Sequence, residues 1–407
     1  MVSEQNQSAG NVDPIQPDRL LEFLTSKTML VLGSLASLVS TAAAVRKTIL
    51  YGLDFQWSDV RLLLQHRDPW AVYLSGDAHH EILLNQVPNF LHELYVLLLP
   101  FAFVSFATGK LIWAACNLLF VVVLGGCVAR LCELDPRKTW LLLVIVLTGT
   151  PFRVTIQNGQ NDALALMCIA LWAVVGSERG RGLLLGLAYE KYSLPPVLAL
   201  FFLMRKRWKL LFYSLLPPLL GFLLVDAWLP TRWTTLLIEP FRTALHGGNV
   251  SRGLANIMAV TEKLLQHVQH PPTWTAMLPY VLGLALACVL VAYFARHAAG
   301  SHASGADGRI LLACLMAASL ACFKHQIYDF LALIFCLAIA FKAPPSPTRT
   351  VVFVATVYFW YVERVLHIWR WEFHLFTILP SLFLLLGMIA ATWKLGGTMR
   401  WSSHWEL

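Results

Sequence analysis

Charge is scarce in this chain. Of 407 residues, 13% are Asp, Glu, Lys or Arg, against 57% hydrophobic, with a mean hydropathy of +0.63. A soluble domain carries roughly 25% charged residues, so a soluble globule is excluded. No stretch alternates apolar and polar residues over about ten positions, which excludes an outer-membrane barrel and leaves helices. The eight cysteines show neither CxxC nor Cys/His ligand spacing, so no disulfide framework or zinc site is implied. No basic run with interleaved aromatics points to nucleic acid, and no internal repeat is visible. The first 27 residues are polar, contain Pro14 and Pro17 and lack a signal-peptide pattern, which predicts a cytoplasmic tail.

What is present is a series of apolar blocks, such as Met29 to Val45, Leu111 to Val128 and Leu211 to Val225. Each is close to the roughly 20 residues that cross a bilayer as a helix, so an all-α integral membrane protein is expected. Lys and Arg exceed Asp and Glu by 31 to 23, and the basic residues crowd into short loops, a pattern that sets orientation. The strongest anchor is Arg205, Lys206, Arg207 and Lys209. With the N-terminus inside, one membrane domain spans residues 28–394, with a cytoplasmic tail at 395–407 and outer loops at 51–109 and 231–275. Parity then requires residues 89–108 to lie in the outer interface without crossing. Residues 182–204 carry basic loops on both sides and are interrupted by Glu190-Lys191-Tyr192 and Pro195-Pro196. They are predicted to form two half-helices, tolerated only where the broken backbone lines a protein cavity. About twelve helical segments follow.

Ionisable residues at membrane depth are expensive and therefore read as functional. In this threading the outer side gathers Asp54, Asp59, the run Gln157 to Asp162, Arg232, Arg242, Asn249, Arg252, Asn256, Lys324, His325 and Asp329, with Glu363, Arg364, His367 and Arg370. Such a collar, basic and bearing carboxylates, suits an anionic lipid headgroup, with cations on phosphate and a carboxylate as base. Lys191, between the half-helices, either pairs with Glu190 or binds a donor phosphate. Arg252, in a loop with Gly247, Gly248 and Gly253, either snorkels to lipid headgroups or grips phosphate. His325 and Asp329, four apart, form either a structural pair or a group for the phosphate or a sugar. Gln160 and Asn161, after Gly159, either cap a helix or hydrogen-bond an acceptor sugar.

Asp54-Phe55-Gln56-Trp57-Ser58, Leu62-Leu63-Leu64, Asp68-Pro69-Trp70, Leu94 to Pro100 and Lys110-Leu111-Ile112-Trp113 with Asn117 resemble the start of glycosyltransferase family 87. Gly159-Gln160-Asn161, Gly186-Leu187-Ala188, Lys191-Tyr192-Ser193 and His325 with Tyr328-Asp329 resemble its later blocks. The resemblance implies a GT-C-type multispanning helical bundle with juxtamembrane helices in the first outer loop. It also implies a polyprenyl-phosphate-linked sugar donor and a glycan or glycolipid acceptor, and membrane lipids are the surrounding partner. By position Asp54 is the general base, and Asp59 is the alternative. Transfer with inversion needs one carboxylate for the acceptor proton and donors for a phosphate that already leaves well. No cofactor is required by this chemistry; a divalent ion bridging Asp54 and the phosphate is its alternative form. The expected enzyme moves a mannose-like hexose or a pentose at the outer face of a bacterial inner membrane. The competing functions are a flippase for lipid-linked sugars and a scaffold subunit that has kept the fold without the activity.

Overall fold

A computed structural model describes residues 18–52, 54–84, 86–246, 255–268, 273–299, 307–362, 375–397 and 399. The expectations placed on Asn249, Arg252, Glu363, Arg364, His367, Arg370 and the extreme termini lie outside the described residues. Among those residues there is no strand. Five helices are long and apolar enough to cross a membrane: Lys27–Leu50, Phe106–Leu131, Trp208–Trp228, Trp274–His297 and Thr377–Gly396. The first three contain the apolar blocks visible in the sequence.

The helices in chain order are α1 (Arg19–Leu24), α2 (Lys27–Leu50), α3 (Trp57–Leu64), α4 (Pro69–Leu74), α5 (His92–Leu98), α6 (Phe106–Leu131), α7 (Pro136–Thr148) and α8 (Thr150–Asn158). They continue with α9 (Asp162–Val174), α10 (Glu178–Ala188), α11 (Pro196–Met204), α12 (Trp208–Trp228), α13 (Trp233–His246) and α14 (Ile257–Leu265). The last are α15 (Leu278–Ala299), α16 (Gly308–Cys322), α17 (Ile334–Lys342), α18 (Pro347–Val357) and α19 (Leu375–Gly396).

Only 11% of the apolar window of α2 and 22% of that of α12 is buried, so these helices turn most of their apolar surface outward, toward lipid. In contrast, α16 is buried along its whole length. Its Ala, Cys and Ser positions let neighbouring helices approach from every side, as expected of a helix without a polar face. It packs among α15, α17 and α19. The pair α7 and α8 bends by 55° at Gly149, with Pro151 entering the second helix in its first turn.

Between α2 and α6 the chain forms short helices. The apolar segment His92–Phe103 is the longest; at about 1.5 Å per residue it reaches roughly 18 Å, too short to cross a core of about 30 Å. These helices rest on an aromatic layer of Phe55, Trp57, Trp70, Tyr95 and Trp113, separate from the main core. Residues 182–204 break as the sequence predicts. α10 ends at Ala188, a 3-10 turn covers Tyr189–Lys191, and α11 starts at Pro196. A Cβ on Gly182 or Gly186 would fall 2.4 Å from atoms of α12, so small residues seat this half-helix against its neighbour.

The end of the bundle away from the α2–α3 junction is tied by ion pairs. Glu133, after α6, meets Arg309 at 3.2 Å and Lys342 at 3.4 Å, and Arg309 also reaches Asp307 at 3.0 Å. Arg349 pairs with Asp18 just before α1. All eight cysteines are free thiols.

Candidate active site

The turn between α8 and α9 builds the centre of the site. Gly159 takes a left-handed φ of +73°, closing α8 with its N–H and that of Gln160 both donating to the Thr155 carbonyl at 3.0 Å. The Asn158 carbonyl is thereby freed to accept the Asp54 N–H at 2.9 Å. The two segments touch so closely that a Cβ at Gly159 would fall 2.8 Å from the Phe55 Cβ. Phe55 itself is buried and stacks on Trp113, whose Nε1 donates to the Gly159 carbonyl at 3.1 Å. This contact brings the Gln160 amide to Asp54, where Nε2 donates to Oδ2. Gly159→Ala is therefore expected to cost more than the roughly 1–2 kcal/mol of a left-handed L-residue, because the new methyl separates Gln160 from Asp54. A thermal melt and a transfer assay would check this, with activity falling further than stability.

Asp54 is half-buried and follows the last turn of α2. Burial pushes its carboxyl up to about 6, against the opposing pull of the Lys191 charge and the Gln160 hydrogen bond. A carboxylate titrating there is ionised at neutral pH yet basic enough to take a hydroxyl proton. Asp59 is fully enclosed in the aromatic layer, and neither of its carboxylate oxygens has a hydrogen-bond partner. Burial first, and the nearby Asp77 charge second, push its pKa well above the carboxylate range. It has no face open to a substrate.

Lys191 does not pair with its neighbour Glu190, because successive residues of a 3-10 turn point about 120° apart. Its Nζ lies 2.8 Å from Asp162 Oδ1 and 3.4 Å from Asp329 Oδ1, over the Tyr328 ring at 4.7 Å. His325 Nδ1 comes within 3.2 Å of Asp329 Oδ2, and its Nε2 lies 3.1 Å from the Ser319 carbonyl. Asp329 also accepts the Gln326 N–H at 2.8 Å, capping a 3-10 helix over Ile327–Leu333. Lys191 and His325 thus converge on one carboxylate from two separate segments. Asn161 occupies the N-cap position of α9 without making a side-chain cap, and its buried Nδ2 has no hydrogen-bond partner.

The collar expected from the sequence divides. Asp54, Gln160, Asp162, Lys191, His325, Tyr328 and Asp329 form one cluster, and Glu190, next to Lys191 in the chain, is buried with neither carboxylate oxygen hydrogen-bonded among the described residues. Arg232 and Arg242 are exposed, Lys324 pairs with Glu262 at 3.4 Å, and Asn256 caps α14. Within the basic and carboxylate-bearing collar that was anticipated, the described residues place Asp54, Asp162, Asp329 and Glu190 with one lysine and one histidine. Sequence reasoning missed Asp162 as the partner of Lys191, although its position just inside a helix after Gln160-Asn161 was a signal. Among the described residues no three His, Cys, Asp or Glu side chains converge as metal ligands.

Neither a curated protein nor a solved structure matches the chain. The profile of glycosyltransferase family 87 matches residues 94–322. That range covers more than half of the chain and includes Gln160, Asp162 and Lys191, while Asp54, His325 and Asp329 lie outside it. With its bundle of membrane-spanning helices, the chain belongs to glycosyltransferase family 87 and is a multi-pass membrane glycosyltransferase.

Proposed function

We propose that this transferase moves one sugar, a mannose-like hexose or a pentose, from a polyprenyl-phosphate donor to a lipid-linked or envelope glycan at the outer face of a bacterial inner membrane. The observation that carries the reading is the Asp54 carboxylate, half-buried, fixed by Gln160 and beside the Lys191 cluster at the end of the first spanning helix. In this reading Asp54 takes the proton of the acceptor hydroxyl as its oxygen bonds to the anomeric carbon. The bond from that carbon to the phosphate oxygen breaks on the opposite side, and the phosphate departs with the electron pair.

Lys191 has three N–H donors, of which two face Asp162 and Asp329. The third meets the departing phosphate, and Arg252 completes the donor-binding group; His325, whose ring nitrogens face Asp329 and the Ser319 carbonyl, acts on the phosphate through Asp329 and Lys191. Asp329 holds Lys191 and His325 in register. Asn161, with its unpartnered amide, and the Gln160 carbonyl orient the acceptor sugar.

The purified protein in liposomes should transfer label from a polyprenyl-phosphate-linked sugar but not from the corresponding nucleotide sugar. Direct use of the nucleotide sugar would overturn the donor assignment. Sidedness follows from cysteines placed at the exposed Ser75 and Arg205 in a cysteine-free background. An impermeant maleimide applied outside should label position 75 and spare 205; the reverse pattern would place the Asp54 cluster on the cytoplasmic side.

A further inference from the structure

At the opposite end of α2 from Asp54, a groove of about 460 Å³ opens between the first turns of α2 and α7. The two helices are held together farther along, where the Ser40 hydroxyl donates to the Leu147 carbonyl at 2.9 Å and the Ser37 hydroxyl lies 3.3 Å from the Val144 carbonyl. Nearer their N-termini the Trp140 indole bridges the gap by donating to the Ser34 hydroxyl at 3.0 Å. Leu30 and the exposed Val31 line it on its apolar side, and Lys27 and Arg137, both exposed, line it as well.

Neither Lys27 nor Arg137 makes an ion pair with a described carboxylate. The nearest acidic side chain on α7, Asp135, caps the N–H groups of Arg137 and Lys138 and approaches the Lys138 ammonium at 3.9 Å. Several other cations at this end are matched: Arg309 with Asp307 and Glu133, Lys342 with Glu133, Arg349 with Asp18, and Lys209 with Glu178. The groove thus sets two cations, neither paired with a described carboxylate, beside an apolar slot, on a helix whose flank already faces lipid. Headgroup charge above and acyl chain below is the complementary shape. A tryptophan at the rim suits the same boundary, since its ring is apolar and its N–H polar.

We infer that this groove binds one anionic phospholipid, its phosphate held between Lys27 and Arg137 and an acyl chain lying along Leu30, Val31 and Trp140. The site is separate from the transfer chemistry and does not depend on its assignment. Basic pockets between spanning helices are a known setting for such headgroups. A zwitterionic lipid brings a cation of its own to the mouth and gains little there.

The test is native mass spectrometry of the full chain, released from detergent after incubation with phosphatidylglycerol or phosphatidylcholine. The wild type should retain one phosphatidylglycerol in preference to phosphatidylcholine. The double variant Lys27→Gln, Arg137→Gln should lose that adduct by roughly ten- to thirtyfold, as two surface charges predict. Lys209→Gln, which removes a cation at another loop of the same end, should leave it unchanged. Soluble glycerol phosphate should not displace the lipid, because without the acyl chain the slot contributes nothing. An adduct that persists in the double variant, equal retention of phosphatidylcholine, or displacement by glycerol phosphate would each overturn the proposal. Val31→Ser is a second variant, which keeps both charges and should weaken the lipid adduct alone.

Discussion

Replacing Asp54 with Asn is expected to lower sugar transfer by about 10²–10⁴-fold, with donor binding and membrane insertion close to wild type. The substitution preserves size and leaves the amide able to hydrogen-bond Gln160, but it cannot accept the acceptor proton. A radiolabel transfer assay beside a donor-binding measurement separates these effects; equal loss of both would mean that Asp54 positions the donor and takes no part in proton transfer. The pH profile adds a second constraint. Since burial holds the Asp54 carboxyl at about 6, kcat should fall as pH drops through that value. Gln160→Leu removes a hydrogen bond that favours the ionised form and should move this acid limb upward.

The same shift has a consequence for stability. A carboxyl whose folded value lies above its ordinary 3.8 favours the folded state when protonated, and that contribution is lost as pH rises through about 6. Above this pH the ionised carboxylate weighs against folding, so Asp54→Asn should melt at a higher temperature than wild type near pH 7. Below about pH 4 the difference should vanish, because both states are then largely protonated. A variant that is nearly inactive yet more stable is the pattern of a residue retained for chemistry. Loss of both activity and stability at neutral pH would argue instead for a structural carboxylate.

Much of the fold is legible in the sequence because lipid leaves a simple trace. Helices α2, α6 and α12 present long apolar flanks outward, and their blocks can be read directly. The break at Lys191 is equally visible, since Pro195-Pro196 follows a charged pair within an apolar run. The helices that the sequence conceals are those buried in protein. At 15 residues α16 is too short for a length rule derived from bilayer thickness, and α9 at 13 is shorter still. Their length is set by neighbouring helices and not by lipid, so counting apolar runs gives about twelve segments, while the described residues hold five helices long enough to span and fourteen shorter α-helices.

The site was legible residue by residue and in the local pair of His325 with Asp329, but not in its long-range pairings. Asp54, Gln160, Lys191, His325 and Asp329 stand out because each interrupts or borders an apolar stretch. Their partners do not, because Asp162 and Asp329 reach Lys191 from distant segments of the chain. The way the collar divides is hidden for the same reason. Summing charge over the outer loops counts Arg232 and Arg242, which the fold leaves exposed, and underweights Asp162 and Glu190, which it buries beside Lys191.

Lys191 is the one lysine among these carboxylates, and removing it should produce the largest loss of stability. Lys191→Met keeps the aliphatic volume but strands Asp162 and Asp329, both almost wholly buried. Breaking a buried pair in this way typically costs about 3–5 kcal/mol, because the remaining charge has neither water nor partner. The two stranded carboxylates are not equivalent. Asp329 keeps His325 at 3.2 Å and the Gln326 N–H at 2.8 Å, whereas Asp162 keeps, among the described residues, the Thr155 hydroxyl at 3.4 Å. Neutralising Asp162 should therefore rescue more than neutralising Asp329. In detergent melts the order of stability should be wild type, then Lys191→Met with Asp162→Asn, then Lys191→Met with Asp329→Asn, then Lys191→Met alone. Transfer should stay low in all three variants, because none restores the cation beside the donor phosphate. If Lys191→Met melted like wild type, or if Asp162→Asn failed to restore stability, the three side chains would not form one electrostatic unit, and the positioning of Lys191 for the phosphate would need another source.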